Sequence, residues 1–179
     1  MDVLAHFLWT YAIAAFAKIK QRKLTGLFGV LPDFFSFGIL MVLTLITGSF
    51  HAGKPDLASI PPYVFHLYDW THSLVIFGAV YLAVFLITKK WYLPLIGWGV
   101  HILIDIPTHT SAFFPTPFLW PFSDYSFSGI SWGTPWFMLL NYSALAIVYW
   151  HLSREFRKEK ANKNKKSHSD PWLWGISRF

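Results

Sequence analysis

The sequence predicts an all-α protein, a polytopic transmembrane helical bundle of about five spans. Of the 179 residues, 54% are hydrophobic, 20% are aromatic and only 13% are charged, which is far more apolar than an ordinary soluble domain. Several apolar runs also approach or exceed the roughly 20 residues needed to cross a hydrocarbon core. The cations between these runs alternate as the loops of a membrane protein do.

Five apolar runs are the expected spans, at residues 3–18, 26–50, 63–88, 92–109 and 134–152. The second run contains Pro32 next to Asp33. Because proline removes a helical hydrogen bond and restricts the residue before it, we expect this span to be kinked or to have a broken start. Residues 1–152 would form the bundle, and residues 153–179 would form a basic cytoplasmic tail.

The placement of charge predicts an orientation. Cations follow the first, third and fifth runs, at residues 18–23, 89–90 and 154–166, whereas the opposite-side segments hold only Lys54. By the positive-inside rule, the N-terminus lies outside and the tail lies in the cytoplasm.

The net charge of +6 raises the question of a nucleic-acid partner. Seven of the fifteen cations, however, lie in residues 154–166, beside an expected span. Anionic lipid headgroups are therefore the nearer partner, and a solvated helix extension is the simplest interpretation of the segment. We expect no nucleic acid to bind. The absence of cysteine excludes disulfides and thiolate metal ligands.

The fourth run contains the stretch HILIDIPTHT, residues 101–110, which places ionisable groups among apolar residues. His101 and Asp105 are four residues apart and so share one helix face. Such groups are costly inside a membrane and usually have a partner or a function there. His109 would extend this face, but Pro107 leaves its direction open.

The third run contains a second polar cluster, in which Asp69 and His72 are three residues apart and can meet on one face, unlike His66. In the predicted orientation His72 lies about 14 Å below the outer face, and His101 lies about 12 Å below it. These matching depths predict that the two imidazoles meet.

His6 and Asp33 could join them, which defines a set of nitrogen and oxygen ligands: His6, Asp33, His72, His101 and Asp105. Imidazole and carboxylate together suit zinc, or manganese and iron where oxygen dominates. A divalent metal, with zinc as the first choice, is the expected cofactor. A carboxylate left over could act as general base, and Asp69 and Asp33 are both candidates for this catalytic role.

Four pieces of the chain carry a resemblance to a known family: LPDF (31–34), THSL (71–74), HILIDIPTH (101–109) and FFPTPFLWPFSDYSFSGISWG (113–133). In order and approximate spacing they resemble the bacterial membrane-bound metal-dependent hydrolases, also described as LexA-binding inner-membrane-associated hydrolases. The resemblance implies a multi-span inner-membrane protein whose metal ligands are His6, Asp33, His72, His101 and Asp105.

The chain departs from that family at two points. The family often has a His-Arg pair five residues before the histidine of its Thr-His-Ser motif, whereas here position 67 is leucine and His66 is one residue earlier. The family also frequently has a second acidic residue after the position of Asp33, and this chain lacks that residue.

Three functions are compatible with these residues. The leading one is hydrolysis of phosphodiester or ester bonds in a lipid-like substrate. The others are a transporter or channel for metal or protons, and a non-catalytic membrane protein whose polar residues hold the helices together. No glycine-rich nucleotide loop and no Gly-x-Ser-x-Gly nucleophile motif occurs.

The aromatic loop, residues 113–132, contains three prolines and no cation. It should lie at the outer interface as an aromatic belt. Alternatively, it covers the site as a lid. Asp124 within it could cap a turn or reach the metal, and we expect the turn.

Overall fold

The computed structural model describes residues 1–49 and 56–169, and within these ranges the protein is all-helical with no strand. The helices are α1 (Val3–Phe16), α2 (Arg22–Phe28), α3 (Leu31–Ile46), α4 (Pro62–Thr71), α5 (Leu74–Thr88), α6 (Ile96–Thr108) and α7 (Pro135–Ser169). Short 3-10 turns cover Leu57–Ser59 and Leu93–Leu95. The predicted all-α class is confirmed. Lys54 and residues 170–179 of the predicted tail lie outside the described residues.

The second apolar run is broken, as its proline predicts. Helix α2 ends before Gly29, and α3 begins at Leu31 with Pro32 in its first turn. Proline fits this position because the first helical N–H groups have no intrahelical acceptor. The axes of α2 and α3 differ by 53°.

The third run is also broken, which the sequence pattern did not predict. Helix α4 ends at Thr71, and α5 starts after Ser73 at an angle of 57°. The Ser73 hydroxyl caps α5 by accepting from Val75 N at 3.1 Å, and it donates to the carbonyl of Trp120. A cap and a long-range partner together stabilise the break.

Among the described residues, no individual helix has both the length and the hydropathy needed to cross a bilayer. Two consecutive pairs, α2 with α3 and α4 with α5, reach both limits when each pair is taken together.

Helix α6 lies at the centre of the fold and packs against α1, α2, α3 and α5. Its closest approach is at Gly97, where an added Cβ would lie 2.1 Å from the carbonyl oxygen of Thr25 on α2. Only glycine allows the two backbones to come this close. The contact brings the second half of α2 beside the first turn of α6.

The segment after α6 is bonded back onto the end of that helix. Gly129 N donates to His109 O at 2.7 Å, Ile130 N donates to Pro107 O at 2.9 Å, and the Trp132 N–H donates to Thr108 O. The last carbonyls of a helix have no intrahelical donor, so these bonds satisfy them. The aromatic loop is thereby held over the carboxyl-terminal end of α6.

Helix α7 continues through residue 152, where the bundle was expected to end, as far as Ser169. The predicted helix extension is therefore present. Outside the bundle, Lys158 donates to Glu155 at 2.7 Å, and this contact lowers the pKa of the Glu155 carboxyl. The guanidinium of Arg22 lies 4.6 Å from the ring centre of Phe156, which connects α7 to α2.

Candidate metal centre

Four predicted ligands come together where several helices end or approach one another. Asp33 lies in the first turn of α3, His72 follows the last residue of α4, and His101 and Asp105 lie on one face of α6. One ligand atom from each lies within 4.8 Å of all the others. These four residues, the primary cluster, could hold a metal ion.

The spacing of the ligand atoms matches that of ligands around one small cation. The Nε2 atoms of His72 and His101 are 3.0 Å apart, and His101 Nε2 is 3.1 Å from Asp105 Oδ2. Asp33 Oδ1 lies 3.6 Å and 3.8 Å from the same two nitrogens. Tetrahedral ligands at bond lengths of about 2.0 Å are about 3.3 Å apart.

Hydrogen bonds behind the rings determine which nitrogen carries the proton. His101 Nδ1 is 2.7 Å from the carbonyl oxygen of Gly29, and His72 Nδ1 is 3.2 Å from that of Tyr68. A carbonyl can only accept, so each Nδ1 donates, and in the neutral rings each Nε2 presents a lone pair. Two lone pairs facing each other at 3.0 Å repel unless a cation or proton lies between them. Such backbone bonds are typical of metal-binding histidines.

The primary cluster is almost closed to solvent. The side chains of His72, His101 and Asp105 are 0% exposed, whereas that of Asp33 is 14% exposed. Two carboxylates buried beside neutral imidazoles are expensive without compensating positive charge. Asp33 is therefore the one ligand near an opening.

His6 is close to the primary cluster but contacts a different oxygen. Its Nε2 lies 3.0 Å from Asp105 Oδ1, and its ring stacks on His101 with the centroids 3.7 Å apart. The α-amino group of Met1 also contacts Oδ1. The prediction that His6 joins the set is consistent with this position, although His6 is not one of the four residues of the primary cluster.

His109 is the site residue whose direction the sequence left open. Helix α6 ends at Thr108, yet His109 N still donates to Asp105 O at 3.1 Å, and His109 Nε2 lies 3.3 Å from Asp105 Oδ1. The sequence feature that indicated this contact is the four-residue spacing between Asp105 and His109. Pro107 does not end the helix early enough to turn the imidazole away.

Asp69 lies outside the primary cluster. It lines a cavity of about 270 Å³ together with Tyr68, Phe65 and Phe114. The expected meeting of Asp69 and His72 assumed a continuous helix, whereas His72 has left helical geometry. The catalytic role of Asp69 stays a prediction, and His66 and Asp124 are both exposed.

No protein-family model, curated protein or solved structure matches the chain. The resemblance to the membrane-bound hydrolases therefore stays a prediction.

Proposed function

We propose that this protein is a membrane-bound metal-dependent hydrolase that acts on phosphodiester or ester bonds of a lipid-like substrate. The observation that carries the proposal is that the buried Nε2 atoms of His72 and His101 lie 3.0 Å apart, between the carboxylates of Asp33 and Asp105. In the neutral rings both atoms present lone pairs, which a cation between them would satisfy.

Zinc is the metal that we propose first, because two imidazoles and two carboxylates form a mixed nitrogen and oxygen set. When bound, a divalent cation supplies a Lewis acid that polarises a phosphoryl or carbonyl oxygen and acidifies a water molecule. The carbonyls of Gly29 and Tyr68 orient the two imidazoles for this task.

Asp33 is the chain's best candidate for moving a proton. It is the most exposed of the four ligands, at 14%, and its oxygen is the farthest from the two Nε2 atoms. A partly exposed carboxylate can accept a proton from an entering water molecule. Asp69, on the neighbouring cavity, remains the alternative base.

The surface of the helices supports a location in the membrane. Helix α5 is apolar along its whole length and has no buried residue, and α3 also exposes Phe34, Phe35 and Ile46. Apolar surface of this extent is unfavourable in water and is typical of contact with lipid or a partner.

The two helix breaks support the same location. Gly29 and His72 lie at the breaks. His72 belongs to the primary cluster, and the carbonyl oxygen of Gly29 contacts His101 of that cluster. Broken helices within a membrane are tolerated where the irregular backbone is buried in protein or lines a cavity. We propose an inner-membrane protein with its N-terminus outside, its basic tail in the cytoplasm and anionic lipid headgroups around the cations of residues 18–23, 89–90 and 154–165.

The cavity beside Tyr68 supports a lipid-like substrate. Tyr68 lines this cavity, and its ring also stacks on His72, with the ring centroids 3.7 Å apart. Phe65 and Phe114 provide apolar walls. An acyl chain could therefore lie close to the primary cluster without entering water.

The experiment that tests the proposal compares wild-type protein in detergent micelles with His101→Ala and with the exposed-histidine control His66→Ala. We expect at least one metal ion per chain and zinc-dependent cleavage of a synthetic phospholipid, followed by phosphorus NMR. His66→Ala should retain both properties, and His101→Ala should lose both. Full cleavage by His101→Ala, or a wild type that retains no metal after zinc loading, would refute the hydrolase.

A second candidate is a metal transporter, which the two broken helix pairs around the primary cluster favour. Protein in sealed vesicles distinguishes the two functions. Zinc uptake that stops in His101→Ala, without any lipid cleavage, would support the transporter instead.

A further inference from the structure

The two oxygens of the Asp105 carboxylate face two different sets of histidines. Oδ2 lies 3.1 Å from His101 Nε2 and 3.5 Å from His72 Nε2. Oδ1 lies 3.0 Å from His6 Nε2 and 3.3 Å from His109 Nε2. Each oxygen thus has two imidazole nitrogens at the separation of metal ligands.

The rings of His6 and His101 are stacked, and each faces a different oxygen of the Asp105 carboxylate. Their centroids are 3.7 Å apart and their planes differ by 24°. One ring directs Nε2 to Oδ1 and the other directs Nε2 to Oδ2. Paired metal ions that share a carboxylate are about 3.5–4 Å apart, which matches this stacking distance.

The tautomer of His109 follows from its partner, as in the primary cluster. His109 Nδ1 is 2.8 Å from the carbonyl oxygen of Phe114, so Nδ1 donates and Nε2 presents a lone pair. That lone pair faces the Asp105 Oδ1 carboxylate oxygen at 3.3 Å. Two electron-rich atoms in this position require positive charge beside them, and the α-amino group of Met1 supplies it here.

His6 is a buried imidazole that makes no hydrogen bond through Nδ1. Its side chain is 0% exposed, and within the described residues Nδ1 has no hydrogen-bond partner, whereas Nε2 lies 3.0 Å from Asp105 Oδ1. Nδ1 has therefore lost its contacts with water without replacement. The α-amino group of Met1, which contacts Oδ1 and lies 3.1 Å from His109 Nε2, shows that positive charge is stabilised on this side.

We propose that the protein holds two divalent cations bridged by Asp105. One lies in the primary cluster, and the second lies between His6 Nε2, His109 Nε2 and Asp105 Oδ1, which we call the secondary cluster. The second cation would replace the positive charge that the α-amino group of Met1 supplies at this position. The inference rests on the proposed function and deepens it, because paired metals suit in-line displacement at a phosphodiester better than at a carboxylic ester. The substrate class is therefore narrowed to lipid phosphodiesters.

The test is the metal stoichiometry of full-length protein in detergent after zinc loading and removal of free metal. We expect about two ions per chain in the wild type and about one in each of two conservative variants. His6→Phe keeps the ring that stacks on His101 but removes both nitrogens. His109→Asn keeps a donor for the Phe114 carbonyl but removes Nε2. The control His66→Ala should keep about two ions.

The outcomes separate the inference from the proposed function. One ion in the wild type, unchanged in His6→Phe, would overturn the second cation and leave the metal-dependent hydrolase intact. No ion in any protein would refute both.

A spectroscopic measurement on the wild-type protein tests the paired site even if a variant fails to fold. After loading with Mn²⁺, two ions about 4 Å apart give an exchange-coupled electron paramagnetic resonance spectrum. His6→Phe should convert it to the six-line signal of isolated Mn²⁺. A six-line signal from fully loaded wild type would overturn the paired site.

Discussion

The Nε2 atoms of His72 and His101 lie 3.0 Å apart, and the proton of each ring is on the opposite nitrogen, where a backbone carbonyl accepts it. The two residues are 29 positions apart in the sequence, on either side of α5. Their meeting defines the site, and the carbonyl of Gly29 behind His101 determines how that imidazole is presented.

The first prediction separates metal binding from folding at His101. Both His101→Ala and His101→Asn remove Nε2, so each should weaken zinc affinity by more than about 100-fold, since even an indirect partner of a ligand contributes 10–100-fold. Asparagine can still donate to Gly29 O and should preserve the thermal stability of the metal-free protein better than alanine. Zinc titration and metal-free melting curves check this. Equal zinc affinity in wild type and His101→Asn would contradict the role.

The second prediction concerns Gly97, where α6 touches α2. In Gly97→Ala the new Cβ would lie 2.1 Å from the Thr25 carbonyl oxygen, so the helices must separate. We expect a loss of about 1–3 kcal/mol, as for overpacking elsewhere, seen as a lower melting temperature. The control is Gly78→Ala in α5, where nothing lies within 4 Å of the added Cβ. A Gly97→Ala protein as stable as Gly78→Ala would disprove the close contact.

The third prediction concerns Ser73, which stabilises the break between α4 and α5. Ser73→Ala removes the cap on Val75 N and Ile76 N and the bond to Trp120 O, and it should cost about 1–2 kcal/mol. Ser73→Thr keeps a hydroxyl and should restore most of the stability. Thermal unfolding of the three proteins measures this. If Ser73→Ala melts with the wild type, the break has another cause.

The fourth prediction is that bound metal is released as the pH falls. Imidazole binds a metal only in its neutral form, and free histidine takes up a proton near pH 6.5. Protons therefore compete with the metal, and the competition strengthens as the pH is lowered. We expect metal content to be full at about pH 7.5 and largely lost by about pH 5, measured after equilibration against metal-free buffer. Full retention at pH 5 with intact secondary structure would argue against histidine ligands.

Much of the site could be predicted from the sequence, because the spacing of residues along a helix determines which side chains share a face. The four-residue spacing of His101 and Asp105 places both on one helix face, and both are buried in the primary cluster. The matching depths of His72 and His101 predicted their meeting, which the 3.0 Å distance between their Nε2 atoms bears out.

Other features depended on long-range contacts that spacing cannot reveal. The third run breaks at Ser73, whose hydroxyl donates to Trp120 O, 47 residues away. The residues around position 72 do not indicate this partner.

The sequence by itself determined the helical class, the apolar runs in which the helices lie, the types of ligand and the face of α6 on which two of them lie. These properties follow from composition, apolar run length and the 3.6-residue helical repeat. Only the tertiary structure decided which oxygen of Asp105 faces which histidine. That division depends on how the ends of α1, α3, α4 and α6 converge, and convergence is set by contacts between distant residues, such as Gly97 with Thr25.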